Sequence, residues 1–248
     1  MLKLLDDDHM RAGRSDVLVD LGSGTGKLCM QAFLTYTNLT RVIGIELSAS
    51  RFSLGEAACM RLAASSSGIG GYAVAKRVPG ELIILEAPGV TARRQLELRK
   101  GDMWAMRAPE IEQADILVMH TDFTQASVPH FKRVLEDMRL GCRFVTYQDL
   151  RSCWRRSEPP FQQLDANLDE TDTFLTSWSS SRGHHLFCYE KHVATRRGYR
   201  LHPDDIEDSK ENMGRKKRAD SDEQPPEAGD IMEDGELTDD SGSEGEDS

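Results

Sequence analysis

Long apolar runs are missing from this sequence: no window approaches about 18 consecutive apolar residues, so no membrane span is expected. The amino terminus MLKLLDDDHM lacks the apolar stretch of a secretory signal, and none is expected there. Paired cysteine spacings are also missing. Cys29, Cys59, Cys142, Cys153 and Cys188 form no CxxC and are odd in number. That argues against a disulfide framework or a structural zinc site and for buried thiols in a reducing compartment. No metal is expected. Basic side chains are absent from residues 219–248, where 13 of the 42 acidic residues fall, so residues 1–218 carry 31 basic against 29 acidic side chains. The net charge of −11 therefore belongs to the tail. Whole-chain acidity says nothing about what the folded part binds.

The pattern that is present alternates short aliphatic runs with helical periodicity. Val17 to Leu21 reads as a buried strand, and Lys27 to Tyr36 as a helix with Leu28, Cys29, Ala32 and Phe33 spaced for one face. Val42 to Glu46 is a second strand and Ala49 to Ala64 a second helix. Residues 65–92 give no clear assignment beyond a loop at Ser65 to Gly71 and an extra strand at Leu82 to Leu85 between Pro79 and Pro88. Strands follow at Gln95 to Leu98, Ile116 to Met119 and Arg143 to Tyr147. A helix spans Val128 to Met138, with Gly141 placed as a C-cap. Phe174 to Trp178 and His185 to Tyr189 read as a closing antiparallel pair. The expectation is a Rossmann-like α/β domain over residues 1–203, its parallel sheet linked by right-handed crossovers. Residues 204–248, rich in Asp, Glu, Ser and Gly, are expected to be a disordered acidic tail with a basic cluster at 215–218.

The chemistry concentrates at strand ends. Asp20-Leu21-Gly22-Ser23-Gly24-Thr25-Gly26 lies between the first strand and the first helix. Glycines there permit positive φ and close approach of a ligand, and the helix behind them offers free N–H groups. Dinucleotide enzymes use a related turn. Asp20 ends the strand as an acid does in the class I methyltransferases, a resemblance that implies it helps hold the amino group of S-adenosylmethionine (SAM). Glu46 ends the second strand some twenty residues later, where a carboxylate accepts both hydroxyls of a ribose. The string DLGSGTG favours SAM over NAD. Gly101-Asp102-Met103 follows the third strand, and the same resemblance implies that the acid there accepts the adenine amino group and the next side chain packs on the ring. All three acidic positions fall at carboxyl ends of strands, where open α/β sheets bind ligands.

The strings VDLGSGTGKLCMQAFL, GIELSASRF, GDMW, ADILVMHTDF and HFKRVLEDMRLGCRFVTYQDL together resemble one branch of the class I methyltransferases. This is the disruptor-of-telomeric-silencing family, non-SET enzymes that methylate a lysine on the nucleosome face of histone H3. The segment Leu175-Thr176-Ser177-Trp178 with Tyr189 is similar to the family's closing hairpin, and the resemblance spans roughly Asp16 to Lys191. It implies a SAM-dependent histone H3 lysine methyltransferase, of the lysine seventy-nine type, acting on nucleosomes. Leu18, Val19, Asp20, Leu21, Gly22, Ser23, Gly24, Thr25, Gly26 and Lys27 would lie under the methionine part of SAM. Glu46 would bind the ribose, Asp102 and Met103 the adenine. Trp178 would wall the lysine channel, with Phe123, Tyr147 and Tyr189 as further candidates. Where the family has two asparagines after the fourth strand, this sequence has Met119-His120, and His120 is the candidate to accept a proton or bond SAM. The family's N-terminal helical lid is expected to be lacking, since about fifteen residues precede the first strand. Two alternatives stay open: a class I methyltransferase with another protein or small-molecule substrate, and an inactive chromatin-binding module.

Gly214-Arg215-Lys216-Lys217-Arg218 resembles a nuclear import signal, so a nuclear location is expected. The acidic block beyond it suits basic partners such as histones. Arg196-Arg197-Gly198-Tyr199-Arg200 is a candidate for nonspecific DNA phosphate contacts.

Overall fold

A computed structural model describes residues 5, 9–65, 71–88, 93–106, 108–121, 124–154, 159–164 and 186–193. Phe123, the segment Phe174 to Trp178 and the whole tail from residue 204 lie outside the described residues. The strands are β1 (Val17–Leu21), β2 (Arg41–Glu46), β3 (Ala73–Val78), β4 (Leu82–Ala87), β5 (Arg94–Lys100), β6 (Ile116–Met119), β7 (Arg143–Thr146), β8 (Phe161–Gln163) and β9 (Phe187–Lys191). The helices are α1 (Lys27–Thr35), α2 (Ala49–Ser65), α3 (Ala108–Glu112) and α4 (Val128–Asp137), with short 3₁₀ turns between.

Among the described residues one nine-stranded sheet runs in the order β3-β4-β5-β2-β1-β6-β7-β9-β8. Neighbours from β5 through β7 pair in parallel, while β9 is antiparallel to both β7 and β8. The order reverses at β1, which has β2 on one side and β6 on the other. That is the topological switch point at which such sheets open a crevice. This is the Rossmann-like α/β sheet, closed by an antiparallel strand, anticipated from the sequence.

Alternation along the strands divides the core in two. Leu18, Val42, Leu96 and Val118 face one cluster with Cys29, Phe33, Phe52 and Cys59 of α1 and α2. Val19, Ile43, Leu117 and Phe144 face the other with Ile111, Phe131 and Leu135 of α3 and α4. Leu5, Met10 and Ala12, ahead of β1, are fully buried in the first cluster. Two buried cations finish helices whose last carbonyls have no helical partner. Arg94 Nη1 donates to Phe33 O at 2.7 Å and Tyr36 O at 3.3 Å beyond α1. Lys191 Nζ donates to Leu135 O at 2.8 Å and Glu136 O at 2.6 Å in the last turn of α4.

The sequence expectations differ from the structure in two places. Residues 65–92, unassigned apart from one strand, hold a complete hairpin: β3 turns back onto β4 at Gly80 (φ 75°), extending the sheet beyond β5. The closing strand β9 starts at Phe187, with β7 on one side and Phe161–Gln163 on the other. The strand next to it on the outside therefore comes from residues not read as a strand; the expected partner Phe174 to Trp178 is not among the described residues. No helix among them is long and apolar enough to cross a membrane.

Candidate functional site

At the switch point the glycine loop folds back over the end of β2. The N–H groups of Gly22 and Ser23 both donate to Ile45 O at 2.9 Å. Gly22 sits at φ 82°, and a Cβ there would clash with Thr121 Oγ1 and lie 4.0 Å from Met103 Sδ. Only glycine satisfies both the backbone and the neighbour. The same contact shows that the loops after β1, β5 and β6 converge on one spot.

Glu46 is the hub of this region. It is 3% exposed at the end of β2. Oε2 accepts from Gly24 N at 2.8 Å, which ties the carboxylate to the glycine loop. Oε1 accepts from Ser48 N at 2.8 Å and lies 3.2 Å from Arg51 Nη2. Gly101 N bonds to Glu46 O at 2.9 Å, so the end of β5 is joined to the same residue.

Asp20 shares the face of Leu18 and lies under the loop beside α1. Its Oδ2 accepts from Cys29 Sγ at 3.5 Å, a weak thiol donor. Burial pushes this carboxyl up to about 7, the thiol bond opposes the shift, and the charge of Glu46 adds to it. A buried acid with so weak a donor matches a cationic ligand group.

Beyond β5, Asp102 is exposed and its Oδ1 accepts from Trp104 N at 2.9 Å, capping the 3₁₀ turn Met103–Ala105. Met103 and Trp104 are half-buried against the second core cluster, and the Trp104 ring lies 6.2 Å from that of His130 on α4. Beyond β6, Met119 and His120 part company. Met119 is 2% exposed and packs in the core. His120 points elsewhere, with its ring 5.2 Å from Tyr147 at the end of β7. Burial lowers the His120 imidazole to about 4, so it is neutral at physiological pH.

The expected site residues thus sort as follows. Gly22, Ser23, Gly24, Glu46, Met103 and His120 come from the ends of β1, β2, β5 and β6 around the switch point. Thr25 and Lys27 are exposed on the loop and the first turn of α1, and Gly26 is buried between them. Leu18, Val19 and Leu21, expected under the methionine part of SAM, are 0% exposed, with side chains in the two cores and backbones in the β1 ladders that lead into the loop. Trp178 and Phe123 lie outside the described residues. Sequence reading assigned no role to Cys29, Ser48, Arg51, Trp104 or Thr121. Each acts through contacts that only folding creates, and on the sequence Arg51 looks like any charge on an exposed helix face.

The donor set fits an adenosyl amino acid: a diol acceptor at Glu46, a buried acid for an ammonium at Asp20, and a half-buried apolar side chain at Met103 for a ring. No group of three or more metal-ligating side chains occurs among the described residues.

No protein-family profile and no curated protein matches this chain. Solved structures similar to it include an RNA methyltransferase from Salinibacter ruber in complex with S-adenosyl-L-homocysteine. That pair shares 15% identity at a TM-score of 0.41, over 81% of this chain and 94% of that one. Trm1 from Pyrococcus horikoshii with S-adenosyl-L-methionine gives 11% and 0.44, over 77% and 56%. The aminoglycoside resistance methyltransferase NpmB1 gives 12% and 0.40, over 77% and 93%. Likeness at these scores adds nothing to what the strand order establishes.

Proposed function

We propose that this chain is a SAM-dependent methyltransferase. One observation carries the reading: Glu46, buried at the end of β2, binds the glycine loop through Gly24 N beside the switch point. Asp20 below the loop and Met103 beside it complete a place for ammonium, ribose and adenine.

When bound, SAM supplies an electrophilic methyl on a sulfonium. The protein's share is then alignment and exclusion of water. Glu46 fixes the ribose. Asp20, ionised by a neighbouring ammonium, fixes the amino-acid end. Neutral His120 stands at the end of β6 as a hydrogen-bonding group for the acceptor. With an imidazole lowered to about 4, it orients an acceptor better than it removes a proton from one.

For the acceptor, the strings GDMW, ADILVMHTDF and HFKRVLEDMRLGCRFVTYQDL favour a lysine of nucleosomal histone H3. The basic cluster at 215–218 and the acidic tail agree with a nuclear, histone-facing protein. His120 favours a second reading, another protein or a small molecule as acceptor. With Met119 in the core, a single imidazole stands where the resembled family has two asparagines, and it offers different hydrogen bonds.

The experiment is methyl transfer from labelled SAM by the full chain into purified nucleosomes, and separately into a cell extract fractionated into protein, RNA and small molecules. Label on histone H3 supports the first reading. Label elsewhere with blank nucleosomes supports the second. No label in any fraction, from a chain that binds SAM, contradicts both and favours a binding module.

A further inference from the structure

Every acceptor position on Glu46 has to be accounted for if this carboxylate is to hold a ribose. An ionised carboxylate offers about four lone-pair sites. Three are in use: Gly24 N on Oε2, and Ser48 N with Arg51 Nη2 on Oε1. Two ribose hydroxyls bring the demand to five, so one present donor must leave.

The three donors are not equally free to go. Gly24 N belongs to a loop whose neighbours Gly22 and Ser23 are pinned to Ile45 O. Ser48 N is a backbone group two residues from Glu46, immediately ahead of α2, and Phe52 N bonds back to Ser48 O at 2.9 Å. Arg51 reaches Glu46 with a long flexible side chain that is 61% exposed, and among the described residues no other carboxylate holds its guanidinium. Only the arginine end of this pair is exposed, so water can take over the guanidinium when it leaves, and a ribose hydroxyl replaces it on the buried carboxylate.

We propose that Arg51 is a latch on the ribose acceptor. Without ligand it holds Oε1 and keeps the Glu46 carboxylate aimed and compensated in a nearly closed site. A ribose hydroxyl displaces it, and the guanidinium swings out to solvent. Arg51 thereby lowers affinity for every ligand that uses both hydroxyls and leaves affinity unchanged for one that uses neither. The inference rests on the cofactor reading above.

The test titrates the full chain and its Arg51→Ala and Arg51→Lys variants with S-adenosylhomocysteine, and with its 2′,3′-dideoxy counterpart, by calorimetry. Melting curves confirm that each variant is folded. The latch predicts that Arg51→Ala binds S-adenosylhomocysteine about two- to fivefold more tightly than the parent, with Arg51→Lys in between. It also predicts that the dideoxy compound binds both proteins alike, and that the gain from Arg51→Ala vanishes in a Glu46→Gln background, where the charge pair is gone. Equal or weaker binding of S-adenosylhomocysteine by Arg51→Ala overturns the latch and leaves the cofactor reading standing. An equal gain for the dideoxy compound also overturns it, since the ribose hydroxyls would then play no part. If no protein in the series binds S-adenosylhomocysteine, the cofactor reading falls and the latch with it.

Discussion

Asp20 couples stability and ligand binding to pH in opposite directions. In the folded chain it keeps its proton up to about 7, against an ordinary value of 3.8. Folding therefore takes up a proton between those values. The stabilisation this gives is complete below 3.8 and is lost as pH rises to 7, an effect of at most about 4 kcal/mol. Binding of an ammonium needs the ionised form and so strengthens over the same rise. Asp20→Asn is expected to melt with a weaker pH dependence between 4 and 7 than the parent, to be the more stable protein at pH 8, and to bind SAM poorly at every pH. Identical pH–melting profiles for the two proteins would contradict the burial assigned to Asp20. The residue type and its place at a strand end were readable from the sequence. Its orientation toward Cys29 was not, because that depends on which face of β1 meets α1. Asp102 shows the limit more sharply. It occupies the strand-end position expected of an adenine contact, yet one of its oxygens caps the turn at Trp104.

At the scale of elements, hydrophobic runs revealed the parallel strands because each is buried on both faces. Val17–Leu21 and Ile116–Met119 begin and end where the sequence puts them. The β3–β4 hairpin was only half legible. β4 alternates buried and half-buried residues, whereas β3 (AVAKRV) is almost wholly exposed and offers no periodic signal. Phe161–Gln163 is three residues long and is a strand only because β9 pairs with it. Lys191 is a further element-scale feature hidden in the sequence: a charge on β9 that satisfies the end of α4, 55 residues away. Lys191→Met removes both bonds and leaves the Leu135 and Glu136 carbonyls without that donor. A loss of about 1–3 kcal/mol in denaturant unfolding is expected. An unchanged midpoint would show that the last turn of α4 does not need this lysine.

At the scale of the molecule, the fold is an α/β sandwich whose order reverses at β1, and the candidate site lies where that reversal opens the sheet. The glycine loop, Glu46, Met103 and His120 are far apart in sequence and meet because β1, β2, β5 and β6 end on the same side. The sequence announced this by placing an acidic or glycine-rich stretch at the ends of β1, β2 and β5, though not of β6. It could not announce the occupancy of Glu46, the burial of Met119 away from His120, or the crowding of Gly22 by Thr121, which depend on how neighbouring loops pack.

The central claim is that these strand ends hold an adenosyl amino acid. Calorimetric titration of the full chain with SAM at pH 8, where Asp20 is ionised, tests it most directly. Saturable binding at one site per chain is expected, weakened about 10- to 100-fold in Glu46→Ala by loss of charge-assisted hydrogen bonds. No heat of binding from the folded parent protein, or equal affinity in Glu46→Ala, would contradict it.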